Sequence, residues 1–329
     1  MLATQGQEFW GGRLALAART RGHPSIRAVD AAFNSGAIVR SWTMRGTIHV
    51  VPARDLAWVL SVTGPRQLQQ AAGVRRTWGI DEDELRRAER LARQALRGGE
   101  RLTRKDLFAA LAAGGVDTAS QRGYHLLVAL SARGIVVQGP VVARTDGPTR
   151  EQYVVLAEEW IRETATPADP LVELFVRFTD GHGPAGASDF AWWAGLPLGV
   201  ARTAAASAAD RLDQVDDEPE PRFVSRSPPR RRADALEVLA LPPFEEYFLS
   251  YADRSVPLAA QPLASIGPGI NGFVRPIILA RGTVVGAWTH SLAVGRMRQP
   301  PVAEVFDPEL VTGEEVQAAL DRYLTFVLG

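Results

Sequence analysis

Two glutamines separated by one glycine, Gln5-Gly6-Gln7, are the first residues of the chain whose types and spacing suggest chemistry. Glutamine has no useful pKa, so neither side chain can act as a general base in the ordinary sense. Two converging amide oxygens can still orient a water and present partial negative charge to a cation forming beside it. Residues two apart do not share a helix face. Convergence therefore requires a helix end, a turn or a strand, and Gly6 is compatible with each. The competing reading is a pair of exposed polar residues near a fraying terminus.

Other residues narrow the chemistry by exclusion. Cysteine is absent, which removes disulfides, thiolate zinc sites, iron–sulfur clusters and a cysteine nucleophile. His23, His125, His182 and His290 show no metal-ligand spacing, so neither metal nor cofactor is expected. Schiff-base chemistry needs an amine, and the one lysine, Lys105, reads as a solvated helix charge beside Asp106. Lys+Arg and Asp+Glu each number 37, a formal net charge of zero. Contacts to nucleic acid would then rest on local patches, without the overall basic field of a small DNA-binding domain. The cations are almost all arginine, which suits bidentate phosphate contacts and base stacking; a GC-rich genome produces the same bias.

A chain of 329 residues, 46% hydrophobic, holds two or three small domains. No apolar run approaches the ~20 residues of a membrane span, and the N-terminus lacks a signal-peptide pattern. A cytoplasmic protein is the default expectation.

The elements that must position these groups are legible in part. Residues 82–98 read as a helix with Leu85, Ala88, Ala92, Ala95 and Leu96 on one face, ended by Gly98-Gly99. Thr103 opens a second helix carrying Leu107 and Leu111. Thr118 and Gln121 read as a capping box for a third, with Leu126, Leu127 and Leu130. Ile135-Val136-Val137 and Tyr153 to Leu156 follow as a hairpin. Three helices and a hairpin is the order of a winged helix. The order recurs from Asp169-Pro170: helices over 171–178, 188–193 and 200–212, then a strand, a polar tip from Asp216 to Pro229 and a return from Leu236 to Leu241. Upstream, Ile38 to Met44 and Thr47 to Pro52 alternate around Arg45-Gly46 as the wing of a first unit whose opening helix lies at or before residue 1. Beyond 246 the pattern turns β-rich: a hairpin of 272–279 and 283–290, a strand from Val302 to Phe306, and a closing helix from Glu314 to Val327. The expected architecture is α+β: tandem winged-helix (helix-turn-helix) units with a C-terminal β-rich, barrel-like domain. The expected boundaries are 1–80 (N-terminally short, with connecting helices), 81–165, 166–245 and 246–329.

Several segments, in order, carry a resemblance. Gln5-Gly6-Gln7 leads into Glu8-Phe9-Trp10-Gly11-Gly12-Arg13-Leu14, and Ser41-Trp42-Thr43-Met44-Arg45-Gly46-Thr47-Ile48-His49-Val50 follows. Asp189-Phe190-Ala191-Trp192-Trp193, Leu241-Pro242-Pro243-Phe244-Glu245-Glu246-Tyr247, Tyr251-Ala252-Asp253-Arg254 and Gly272-Phe273-Val274-Arg275-Pro276 complete the series. Together they resemble the winged-helix DNA glycosylase family typified by AlkZ and YcaQ. In that family a Gln-x-Gln or Gln-x-Asp pair on a concave DNA-binding face positions the water that releases an alkylated base. The resemblance implies a monofunctional DNA-repair hydrolase acting on cationic alkylpurines such as N7-alkylguanine, interstrand crosslinks included. It makes Gln5 and Gln7 the catalytic candidates and alkylated or crosslinked double-stranded DNA the partner, bound by a monomer. The alternative is a non-catalytic winged-helix DNA-binding protein, a regulator or a degenerate family member. Family members carry a further helix before this motif, whereas this chain begins almost on it. If Met1 is the natural start, the pair is expected to lie on a loose terminus.

DNA-contact candidates follow from the same reading. Arg45 at the hairpin tip would grip a phosphate or simply face solvent; His49 would line the cleft or sit half-buried in its strand. Arg122 and Arg202, near the starts of third helices, are groove-facing candidates. The stretch Arg222, Arg226, Arg230, Arg231 and Arg232 is either a phosphate-clamping wing tip or a solvated loop offset by Asp216, Asp217, Glu218 and Glu220. Trp192-Trp193 reads as core packing.

Overall fold

The alternating segments Ile38–Met44 (β2) and Thr47–Pro52 (β3) form the expected hairpin, turning at Arg45 and Gly46 with φ of 54° and 66°. The computed structural model describes residues 1–22, 24–216, 220–226, 238–258, 263–269, 272–293 and 295–329. Ahead of the hairpin, Thr4–Gln5 (β1) pairs antiparallel with β3, Thr4 opposite Val50 and Gln5 opposite His49. Leu2 to Gly6 are buried, so the terminus is packed into the fold and not frayed.

Phe9–Ala18 (α1) and Ile26–Asn34 (α2) lie between β1 and β2, so two helices separate the glutamines from the hairpin. The sequence hides α1 because Phe9-Trp10-Gly11-Gly12 and Leu14-Ala15-Leu16 are apolar on all sides, leaving no 3.6-residue period to read. Leu56–Gln70 (α3) and Ala72–Thr77 (α4) lead to the second set.

There, Glu82–Leu96 (α5), Arg104–Ala113 (α6) and Arg122–Ala132 (α7) precede Val136–Val141 (β4) and Gln152–Leu156 (β5). Asp81 caps α5 and Thr103 caps α6, each accepting a backbone N–H. The proposed box at Thr118 does not form. Helix α7 starts at Arg122, and the Thr118 hydroxyl instead donates to Phe108 O at 3.3 Å. The apolar faces of the three helices meet in one core that includes Leu85, Leu107, Leu111 and Leu126.

β4 also joins β2 through Arg40 opposite Gln138, giving one sheet of order β1-β3-β2-β4-β5. The two hairpins expected as separate wings therefore share a single sheet. Their junction is polar and one pair long, and strand patterning carries no trace of it.

Ala157–Trp160 (α8) ends this set, and the next repeats its order. Pro170–His182 (α9) is capped by Asp169, which accepts from Leu171 N and Val172 N at 2.9 and 3.1 Å. Ala187–Ala194 (α10), Leu198–Ala208 (α11) and the hairpin Leu212–Asp216 (β6) with Arg222–Ser225 (β7) follow. The return strand is thus at 222–225. Leu239–Leu241 (β8), expected in that role, belongs to the C-terminal sheet, where its three apolar residues pair with the buried strand β9.

Glu246–Leu249 (α12) and Ser255–Leu258 (α13) precede Ile277–Ala280 (β9), Thr283–Thr289 (β10), Val302–Val305 (β11) and Gly313–Leu328 (α14), the last with a Thr312/Glu315 capping box. The sheet order is β11-β10-β9-β8, and among the described residues no pairing of β8 with β11 closes it into a barrel. Phe9, Phe33 and Val50 share a core with Trp288, Tyr323 and Phe326, so the C-terminal sheet and α14 support the segment that bears the glutamines. Among the described residues no helix is long and apolar enough to cross a membrane.

Candidate active site

The Gln5-Gly6-Gln7 turn is held from several sides. Gly6 N donates to Ile48 O at 2.8 Å, continuing the β1–β3 pairing. On the outer edge, Gln5 N donates to Glu246 Oε2 at 3.0 Å. Arg40, projecting from β2, donates through Nε to Gly6 O at 2.6 Å, through Nη2 to Gln7 O at 3.1 Å and through Nη1 to Gln138 Oε1. Burial lowers the Arg40 pKa to about 10, with Glu8 opposing and Arg104 and Arg13 adding, so the guanidinium stays charged at neutral pH. A Cβ on Gly6 would stand 3.3 Å from Val50 Cγ2 and 3.4 Å from Arg40 Nε. One on Gly12 of α1 would stand 3.2 Å from both Gln5 O and Gly6 Cα. Glycine at both positions lets α1 and Arg40 close on the turn.

The two amides are in different settings. Gln5, facing the same side of the sheet as His49, is 7% exposed. Gln7 lies in the bend before α1 and is exposed. Among the described residues, neither side-chain amide makes a hydrogen bond within the protein. Beside Gln7 opens a cleft of about 630 Å³ bordered by Arg40, Arg104, Arg150, Trp42 and Tyr124. The two rings meet edge to face with centroids 5.9 Å apart. Glu8 and Glu151 partly offset the three guanidinium groups at the rim. Arginines, amides and an aromatic wall in one cleft suit a nucleotide: phosphate on the cations, base against the ring.

His49 is wholly buried, neither a cleft wall nor a half-buried strand residue. Its Nδ1 stands 3.0 Å from Thr43 Oγ1, and Nε2 has no partner. Burial pushes its pKa down to about 4, Glu246 opposing and Arg45 adding. In the unfolded chain the ring titrates near its ordinary value of ~6.5. The unfolded state therefore binds the extra proton between these two values. The contribution of His49 to stability is complete above pH ~6.5 and falls by up to about 3 kcal/mol as the pH drops toward 4. Urea melts across that window should show the loss, and His49→Asn should flatten it; an unchanged slope in the variant would assign the loss to other groups.

The other candidates fare unequally. Arg45 does not project freely from the hairpin tip. Its stem passes close to Gly195, Nη1 donates to Leu249 O at 3.3 Å, and Nε and Nη2 are buried. Arg122 is engaged within the fold: it ties α7 to α5 through Glu84 and to the end of α4 through Trp78 O, with Asp117 as a further partner. Arg202 on α11 is exposed. Arg222 pairs with Asp216, and Arg226 lies 3.4 Å from Asp213, so this part of the arginine-rich stretch is offset by acid. Arg230, Arg231 and Arg232 lie outside the described residues. The tryptophan pair divides. Trp193 is core, but Trp192 is 44% exposed, anchored by Nε1 to Leu249 O at 2.8 Å, with the Arg254 guanidinium 5.3 Å from its ring. Among the described residues there is no cluster of metal-ligating side chains.

Arg40 and Glu246 are the residues that sequence reasoning missed. A single arginine in an alternating strand looks like a solvent-facing position, and a glutamate after a double proline carries no signature of burial.

A family model described as DNA glycosylase AlkZ-like matches residues 1–326, and the chain belongs to that family of DNA glycosylases. Its fold is similar to that of Streptomyces sahachiroi DNA glycosylase AlkZ, with a TM-score of 0.77, 21% identity, and coverage of 98% of this chain and 88% of that one. Among curated proteins none matches.

Proposed function

We propose that the protein is a monofunctional glycosylase that hydrolyses the N-glycosidic bond of cationic N7- or N3-alkylpurines in duplex DNA, guanine crosslinks included, with Gln5 and Gln7 positioning the water. An alkylated purine of this kind already carries positive charge. It departs as a neutral base with the electron pair of the glycosidic bond, and no general acid is required. Water then adds its oxygen to C1′ and releases a proton to solvent, leaving an abasic sugar. The enzyme's task is to hold that water and favour an oxocarbenium-like sugar, which amide dipoles can do. Normal bases, being poor leaving groups, stay intact.

The observation that carries this reading is the fixation of the glutamine turn, by Arg40 on its carbonyls and Glu246 on its N–H, with Gln7 bordering an arginine-lined cleft. We read α5 to β5 and α9 to β7 as winged helices that lay this face against DNA, with Arg202 a phosphate contact. The single lysine, Lys105, is exposed on α6 and does not border the cleft, which supports hydrolysis over Schiff-base chemistry. The test is a duplex carrying one N7-methylguanine. Free base should appear while the strand stays intact until alkali is added, and unmodified duplex should remain untouched. No release of base, or strand scission without alkali, would overturn the proposal.

A further inference from the structure

Glu246 is 1% exposed and stands where three distant parts of the chain meet. Its Oε2 accepts the outward N–H of Gln5 at 3.0 Å. Its Oε1 accepts the indole N–H of Trp193 in α10 at 2.6 Å and the Ser250 hydroxyl at 2.9 Å. His182 of α9 brings Nε2 to 3.5 Å from Oε1. His49 of β3 and Arg45 of the hairpin tip also act on the carboxylate electrostatically. Burial favours the neutral acid, yet the nearby His182, with His49 and Arg45, holds the group below the usual carboxylate range.

β1 is only two residues long and lies at the sheet edge. On its inner side β3 supplies the partners; on its outer side, among the described residues, the backbone N–H of Gln5 donates to Glu246. On that side the Gln5 N–H is directed by a buried carboxylate, itself anchored on α10 and on Ser250. Its negative charge also sits within one peptide of Gln5, with a sign that favours a cation developing over that residue.

We propose that Glu246 is a positioning residue for base excision: it fixes the Gln5 backbone from the outer edge and biases the local field toward the cationic sugar. This rests on the reading of Gln5 and Gln7 as the water-holding pair. Glu246→Gln preserves size and removes charge. With N7-methylguanine duplex in single-turnover assays, the excision rate should fall roughly 30-fold or more, while duplex affinity stays within about twofold. Phe175→Leu disturbs the core behind α9 and α10 without touching Glu246 or Gln5, and serves as the structural control. At a temperature well below both melting points it should keep most of the rate. Should Glu246→Gln fail to fold, Glu246→Asp keeps the charge but withdraws it from the Gln5 N–H, and a rate loss of about tenfold is expected there. A folded Glu246→Gln or Glu246→Asp protein with the parental rate overturns the inference. So does a Glu246→Gln loss no larger than that of Phe175→Leu. If Gln5→Ala and Gln7→Ala themselves keep the parental rate, the underlying reading fails and this inference with it. If they lose the rate and Glu246→Gln does not, only this inference fails.

Discussion

Gln5→Ala and Gln7→Ala are each expected to slow release of N7-methylguanine by about 100-fold or more, the scale of losing one preorganised polar group at a charge-developing centre. The two substitutions should differ in their side effects. Gln7 is exposed and its side chain makes no hydrogen bond within the fold, so alanine there should leave the melting temperature unchanged. Gln5 is 7% exposed beside His49, and truncation opens a small void at the sheet edge. A cost of roughly 1 kcal/mol in stability is expected. The backbone contacts to Ile48, Glu246 and Arg40 survive in both variants, so a lost rate with retained duplex affinity reports on the amides themselves. If the double variant is slower than the parent by the product of the two single effects, the amides act separately; a shared water predicts much less than that product. Parental rates in both single variants would remove the glutamines from the mechanism.

Replacing Arg40 should be the most damaging change outside the pair. Its guanidinium serves Gly6 O, Gln7 O and Gln138 Oε1 at once, linking the glutamine turn to β4. Arg40→Ala leaves these acceptors without their charged donor and empties space under Phe9, whose ring lies 5.4 Å from the guanidinium. A stability loss of about 2–4 kcal/mol is expected, with excision slowed about 100-fold because the turn is no longer fixed. Arg40→Lys keeps the charge but lacks the planar fork. It should recover part of the stability and little of the rate. Denaturant melts and single-turnover excision separate the two effects. Full rate in a folded Arg40→Ala protein would show that the turn holds its shape unaided.

The helices of the second and third sets were legible because charge and apolar residues alternate along them with caps in place, as at Asp81, Thr103 and Asp169. Helix α1 was not, since it is apolar on every side, and β8 was assigned to the wrong sheet because a short apolar strand does not name its partner. The site was legible only where chemistry is written in residue type. Gln5 and Gln7 could be picked out, but Arg40 and Glu246 could not. Their roles come from long-range contacts, 34 positions apart for Arg40 with Gly6 and 241 for Gln5 with Glu246. The partners of Arg45 and Arg122 within the fold were hidden for the converse reason. A guanidinium at a tip or helix start looks free until the carbonyls and carboxylates around it are placed.

The clasp between Gln5 and Glu246 spans 241 positions of the chain, so the outer edge of the glutamine turn has nothing to grip until the segment bearing Glu246 has been added and folded against it. A polypeptide that carries the glutamines but stops short of that segment lacks the carboxylate that receives the Gln5 N–H.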